Sequence, residues 1–318
     1  MFILINYLFS FLCTAMVTFV LIKKPLSVSI PNDRGLHDIK MPSSGGIAIF
    51  IGLLVFIEQF PNNIMQALLF ATLMGFLDDK YSLSKIIRFS SQLIIALLII
   101  SSNFELTFIN IFWVIFIIYF INIYNFMDGI DSLASLQSIF FISSIALIFG
   151  FFPEVIIPII AFLFFNITPA KIFLGNSGSY LLGTLLASYL FNMGFDFQYL
   201  NEIMMYAVLL TVFLVDSTYT LIRRFIYIFV EKKYSLLQSI TYITEPHRTH
   251  NYQILTMKHK NHSIVNVMLM IYNIFWCLPI AYLIFIENQS LLVSLLLLLT
   301  SYIPYIIWCY KNQAGLPK

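Results

Sequence analysis

Residues 75–92 read GFLDDKYSLSKIIRFSSQ: an apolar run closes on Asp78 and Asp79, a polar turn follows, and Arg88 and Gln92 open the next apolar run. Adjacent carboxylates at the edge of an apolar segment repel each other, which raises one pKa or draws in a cation. Flanked by such runs, the stretch reads as the junction between two membrane helices. The rest of the chain repeats the pattern. Of 318 residues, 60% are hydrophobic and only 10% charged, with a mean hydropathy of +0.91, values that exclude a soluble domain with a wetted surface.

Apolar runs predict about eleven spans, near Phe2–Ile22, Gly46–Phe60, Asn62–Leu77, Phe89–Ser101, Phe108–Ile121, Ser135–Phe151, Val155–Ile167, Tyr180–Met193, Ile203–Ile222, Ile264–Ile286 and Leu291–Trp308. A straight span needs roughly 20 residues, so the short ones must continue into polar residues or be re-entrant, and polar helix ends are tolerated only against water or protein. With no internal repeat or linker in view, the expected architecture is an all-α polytopic helical bundle, one domain over residues 1–318.

Numbering the gaps between spans alternately places all seventeen Lys and Arg residues in gaps of one parity. The other gaps hold only acids: Glu58, Glu105, Glu154, Asp196, Glu202 and Glu287. Basic loops stay cytoplasmic, so the amino terminus is expected outside, in the periplasm, and the carboxyl terminus inside. Lys23 and Lys24 follow the first span and no basic residue precedes it, the reverse of a cleaved leader. Cys13, Cys277 and Cys309 sit in apolar runs, which argues against a disulfide framework or a thiolate metal site. All five His (His37, His247, His250, His259, His262) fall in the inner loops, so the polar chemistry faces the cytoplasm.

Four inner segments carry that chemistry. The first is the Asp78, Asp79, Arg88 junction. In the second, NIYNFMDGIDSLAS (residues 122–135), Asn122, Asn125, Asp128 and Asp131 recur at a spacing that makes them neighbours along a helix. No Lys or Arg balances those two acids, so a cation or a ligand's donors are their natural partners. In the third, PAKIFLGNSGSYLLG (residues 169–183), Lys171 precedes a turn with Gly175, Asn176, Ser177, Gly178 and Ser179. Such a turn before a helix presents backbone N–H groups to phosphate, although it also serves as a plain tight turn. The fourth is EPHRTHNYQ (residues 245–253), with His247, Arg248 and His250 following Asp216, Arg223 and Arg224. Arg and His donors recognise phosphate. Zinc on His247 and His250 lacks an evident third ligand, and Arg223 and Arg224 also suit a stop at the membrane interface. The apolar stretch 225–243 suits the headgroup plane. Carboxylates, amides, glycine turns, Arg and His at one membrane face form the inventory of a magnesium-dependent phosphoryl transfer.

From about Pro31 to His262, PNDRGLHDIKMPSSGG, DD…R…Q, NxxNxxDGIDxLA, PAKIFLGxxGS and VDSTYTLIRR leading to HRTHNYQ resemble, in order and position, the polyprenyl-phosphate N-acetylhexosamine 1-phosphate transferases of the WecA and MraY type. The HRTHNYQ form is most similar to the WbpL-like branch that starts O-antigen chains. The resemblance implies a multi-pass enzyme of the bacterial inner membrane. Its substrates would be undecaprenyl phosphate and a UDP-N-acetylhexosamine (GlcNAc, FucNAc or QuiNAc type), and its products undecaprenyl-diphospho-sugar and UMP. It implies Mg2+, with Mn2+ as an alternative, lipid contact, no nucleic acid, and compatibility with a homodimer. By position it implies catalytic roles for Asp78, Asp79, Asp128 and Asp131. Substrate contacts fall to Arg88, Asn122, Lys171, Gly175, Ser179, His247, Arg248 and His250, and metal ligation to Asn125, Asn176 and Asp79. The family turn reads Gly-Asp-x-Gly-Ser, whereas this chain has Asn176 at the Asp position. Asn offers an oxygen ligand without charge, so weakened metal binding or a catalytically impaired member stays open. A transporter or flippase of lipid-linked sugars is the rival, but transporters place ionisable groups near the midplane, and only Asp216 here lies within an apolar segment.

Overall fold

The computed structural model describes residues 2–31, 39–101, 108–192, 200–286 and 290–317. Arg34, His37, Glu105, Met193, Asp196 and Glu287 lie outside the described residues. The chain divides into two compact units, one of Met1–Ile30 with Ile39–Tyr199, the other of Pro31–Asp38 with Leu200–Lys318.

The first unit contains α1 (Phe2–Lys23), a two-strand antiparallel ribbon of β1 (Val28–Ser29) and β2 (Met41–Pro42), and α2 (Gly45–Leu53), which continues as a 3-10 turn over Leu54–Gln59. Then come α3 (Asn62–Tyr81), α4 (Lys85–Ile100), α5 (Phe108–Met127), α6 (Leu133–Phe149), α7 (Ile156–Asn166) and α8 (Gly175–Asn192). The second contains α9 (Leu200–Leu209), α10 (Thr211–Ile226), α11 (Leu236–Ile243), α12 (Asn251–His259), α13 (His262–Tyr272), α14 (Leu278–Ile286) and α15 (Leu291–Lys311). The described fold is all-α apart from the ribbon.

Helix α1 is inverted relative to a helix of a soluble protein. Leu4, Leu8, Leu12, Met16 and Phe19 are exposed, whereas Ser10, Thr14 and Thr18 are fully buried. Ser10 donates to the Gly52 carbonyl at 2.8 Å, and Thr14 and Thr18 bond back to the carbonyls of Ser10 and Thr14. Apolar surface outside and hydroxyls with glycine inside is how helices pack in lipid, where burial of leucine gains nothing. Four described helices are long and apolar enough to cross a membrane: Ile3–Lys23, Asn110–Met127, His262–Ile286 and Leu291–Lys311. Counting the bent pair Leu200–Leu209 with Thr211–Glu231 makes five.

Two expected features differ. The segment expected as one span over Ile203–Ile222 is bent by 80° between α9 and α10. At the break Leu210 leaves the helical conformation, with φ -102 and ψ 9, and the Thr211 hydroxyl donates to the Val208 carbonyl at 2.7 Å. The polar series Asn122, Asn125, Asp128, Asp131 is not one helix face either. Helix α5 stops at Met127, and Ser132, with φ 61, takes the left-handed conformation before α6. The short predicted runs around Asp78 continue into polar residues, since α3 carries Asp78 and Asp79 in its last turn and α4 begins at Lys85.

Helix α8 packs among α2, α3 and α5, and its Leu181, Leu182, Leu185 and Leu186 are fully buried. Its first turn reaches α3 because residue 75 is glycine: a Cβ there would stand 2.3 Å from the Asn176 carbonyl oxygen, a backbone atom that cannot give way. Gly75→Ala is therefore expected to destabilise the fold by about 1–3 kcal/mol, read as a lower thermal midpoint in detergent. An unchanged midpoint would contradict this packing.

Candidate active site

The junction between α3 and α4 is built on Asp78, which is almost fully buried. Its Oδ1 accepts from the Leu83 N–H at 2.9 Å and pairs with Arg88 Nε at 3.0 Å. Its Oδ2 accepts from Asn176 Nδ2 at 2.9 Å and from the Tyr180 hydroxyl at 3.5 Å. The single Nε–H of Arg88 is donated to the Leu83 carbonyl at 3.0 Å, so its contact with Asp78 is an ion pair, and the carboxylate accepts three of the about four hydrogen bonds it can take. The turn that brings Arg88 back is closed by Ser82 in the left-handed conformation, φ 49, and Ser84 accepts from the Ile87 N–H at the start of α4.

Asp79 points at the start of α8. Its Oδ1 accepts the Asn176 N–H at 2.9 Å and its Oδ2 the Ser177 N–H at 3.2 Å. These are two of the amides that the glycine turn was expected to offer to phosphate, and a carboxylate of the chain itself occupies them, as helix N-termini favour. The protein around Asp79 pushes its pKa up to about 7, the two N–H groups oppose that rise, and the Asp78 charge adds to it. Gly175, with φ +73, makes the turn, and a Cβ on it would collide with Ser43 Oγ at 2.5 Å and Asp79 Oδ2 at 2.6 Å. The turn is held from behind, where Gly45 and Gly46 donate to the Phe173 and Leu174 carbonyls and Phe173 donates to Pro42.

Asn125 on α5 completes the group, donating to Asn176 Oδ1 at 2.6 Å and to Ser179 Oγ at 3.0 Å. Thus Asp78, Asp79, Arg88, Asn125, Asn176 and Ser179 form one hydrogen-bonded cluster. Asn122 lies one turn back and exchanges amide bonds with Gln92 at 2.7 and 3.2 Å. Asp128 follows α5 directly. Asp131 Oδ2 accepts the Ala170 N–H at 3.2 Å, next to the exposed Lys171. Asn166 was not among the expected residues. Buried, it accepts the Ser132 N–H at 3.0 Å and donates to the Ile172 carbonyl at 2.9 Å, so it ties the Asp131 turn to the Lys171 loop. Tyr180 was likewise missed; the only hint in the sequence was its place one turn after Asn176.

The second unit holds the His247–His250 stretch. The His247 and His250 rings lie 4.9 Å apart, and His247 Nδ1 bonds with the Thr249 hydroxyl at 3.0 Å. His247 and Arg248 are part-exposed, whereas His250 is buried against Asp216. Arg223 stacks over Tyr310, and Arg224 over Tyr242 while donating to its carbonyl.

The first-unit cluster suits a hard cation in part. Among the described residues no three His, Cys, Asp or Glu side chains converge as a metal site, but oxygen donors of acids and amides do gather, the ligand type that magnesium takes while keeping several waters. Asp78 is paired with Arg88, whereas Asp79 takes the backbone N–H groups of Asn176 and Ser177 and the Ser177 hydroxyl, so each carboxylate keeps about one acceptor position. Asp79, Asn125 and Asn176 therefore offer oxygen donors that fit a cation, while the Asp78 charge is already paired with Arg88.

Residues 63–194 match the model of glycosyl transferase family 4. The chain is 28% identical over 230 residues to a probable undecaprenyl-phosphate N-acetylglucosaminyl 1-phosphate transferase of Bacillus subtilis, covering 62% of this chain and 64% of that protein. It is 31% identical over 188 residues to an undecaprenyl-phosphate alpha-N-acetylglucosaminyl 1-phosphate transferase of Thermotoga maritima, covering 56% and 61%. A stretch of 40 residues is 55% identical to a phospho-N-acetylmuramoyl-pentapeptide-transferase of Petrotoga mobilis, 13% of each chain. The chain thus spans less than two thirds of the length of each of these curated relatives.

Asn176→Asp would replace the donor to Asp78 by a third carboxylate. Its loss of about 1–3 kcal/mol is expected to lower the thermal midpoint without divalent ions, and added magnesium should restore it more than it shifts the unsubstituted protein. Equal magnesium responses of the two proteins would remove residue 176 from any cation site.

Proposed function

We propose that this chain, with its glycosyl transferase family 4 segment at residues 63–194, transfers a sugar 1-phosphate from a UDP-N-acetylhexosamine to undecaprenyl phosphate. The observation that carries this reading is the single cluster in which Asp78, Asp79, Arg88, Asn125 and Asn176 meet at the ends of α3, α4, α5 and α8. The printed names of the two N-acetylglucosaminyl 1-phosphate transferases favour UDP-GlcNAc as donor. FucNAc and QuiNAc donors fit the same chemistry, and the WbpL-like form of HRTHNYQ favours a role in starting O-antigen or another surface glycan.

In this reading an oxygen of the lipid phosphate attacks the sugar-proximal phosphorus of the donor. One phosphorus–oxygen bond forms, the bond to the other phosphate breaks, and UMP leaves with the bond's electrons. The protein supplies position and charge. Asp78, buried, holds Arg88 by its charge while the Leu83 carbonyl takes Nε–H, and Arg88, with its side chain 39% exposed, turns its remaining N–H groups to the lipid phosphate. Asp78 thus serves the lipid phosphate through Arg88. Asp128 and Asp131 orient the nucleotide sugar, with Asn122, Lys171, Gly175 and Ser179 beside it, and His247 with Arg248 receives the diphosphate. Magnesium, or manganese, held by Asp79, Asn125 and Asn176 would neutralise phosphate charge.

The sidedness of Lys and Arg supports about eleven spans in a bacterial inner membrane, the amino terminus periplasmic and the site cytoplasmic. Leu236, Leu237 and Ile240 of α11 are exposed, which suits the headgroup plane. Purified protein given undecaprenyl phosphate and UDP-GlcNAc is expected to release UMP. Asp78→Asn and Asp128→Asn are each expected to lower that rate by about 100-fold or more while the protein stays folded, and Glu105→Gln to leave it unchanged. Wild-type turnover in Asp128→Asn would overturn the assignment.

A further inference from the structure

Asp216 is fully buried in α10, and every acceptor position of its carboxylate is filled. Oδ1 accepts the Asn251 N–H at 2.9 Å and meets His250 Nδ1 at 3.3 Å. Oδ2 accepts the Tyr252 N–H at 3.0 Å and the Tyr305 hydroxyl at 3.1 Å. Asn251 and Tyr252 are the first residues of α12, so the carboxylate caps that helix. His250 Nδ1 faces this carboxylate, the placement by which acid partners orient functional imidazoles. The His250 ring is itself buried, between His247 at 4.9 Å and Tyr252 at 5.8 Å. The carboxyl-terminal segment ties down the same loop: Gly315 donates to the Thr249 carbonyl at 2.9 Å and Asn312 to Asn251 Oδ1 at 2.8 Å.

A buried carboxylate is an expensive way to cap a helix, because Ser, Thr or Asn would serve. It adds a fixed acceptor for one imidazole. We propose that Asp216 and His250 are positioning residues that lock the 247–252 loop, so that His247 and Arg248, and not His250, meet the diphosphate of the substrate. This rests on the transferase reading above and narrows its substrate contacts to two residues of the loop.

Asn is the test substitution at His250, because its amide keeps a polar group where Nδ1 stands while losing everything beyond it. His250→Asn is expected to keep kcat/KM for the UDP-sugar within about tenfold of the unsubstituted protein, while His247→Asn loses about 100-fold or more. Asp216→Asn is expected to speed amide hydrogen exchange at Asn251 and Tyr252, and Tyr305→Phe, which removes one donor and leaves the carboxylate, to do so less. The exchange measurement needs no turnover. If the unsubstituted protein releases no UMP, the transferase reading fails while exchange still decides the anchor. Equal damage from His250→Asn and His247→Asn, or unchanged exchange in Asp216→Asn, would overturn the proposal.

Discussion

Carboxylates bound to the first amides of helices hold both units of this protein in shape. In the first unit Asp79 takes the N–H groups of Asn176 and Ser177 at the start of α8. In the second, Asp216 takes those of Asn251 and Tyr252 at the start of α12. Helix N-termini carry orphan donors and partial positive charge, and in an apolar chain with few polar groups such pairing settles both at once. Each bond also places a loop: α8 begins beside Arg88 and Asn125, and α12 begins beside His247 and Arg248.

The same economy governs the polar cluster. Five side chains that would each be costly alone among apolar helices satisfy one another, and the one basic group, Arg88, stays partly open. Asn176 is central, since its amide donates to Asp78 and accepts from Asn125. An aspartate at that position would face two other acids and require a cation. With asparagine the three helices are joined by amide hydrogen bonds, one of them to the Asp78 carboxylate.

Much of this was legible in the sequence because it is local. The apolar runs, the adjacent acids closing one run and the glycine turn opening another place Asp78, Asp79 and Asn176 at helix ends without knowledge of the fold. What was not legible depends on contacts between distant residues. Asn125 and Asn176 are separated by 51 positions, and Asn251 and Asp216 by 35. The three-residue rhythm from Asn122 to Asp131 suggested one helix face, but the helix ends at Met127, and Asn122 and Asn125 find partners on α4 and α8. The bend at Leu210 leaves no mark on hydropathy, because the run is apolar on both sides of it. Buried Ser10, Thr14 and Thr18 show the same limit: the run is apolar on average, and only packing against Gly52 reveals which face turns inward.

The central claim is that the cluster moves a sugar together with its phosphate. Labelling the two phosphates of UDP-GlcNAc separately and partitioning the products between organic solvent and water tests it directly. The account predicts the sugar-proximal phosphorus in the lipid fraction and the uridine-proximal phosphorus in aqueous UMP. Both labels remaining together in aqueous UDP, with sugar alone in the lipid, would contradict it.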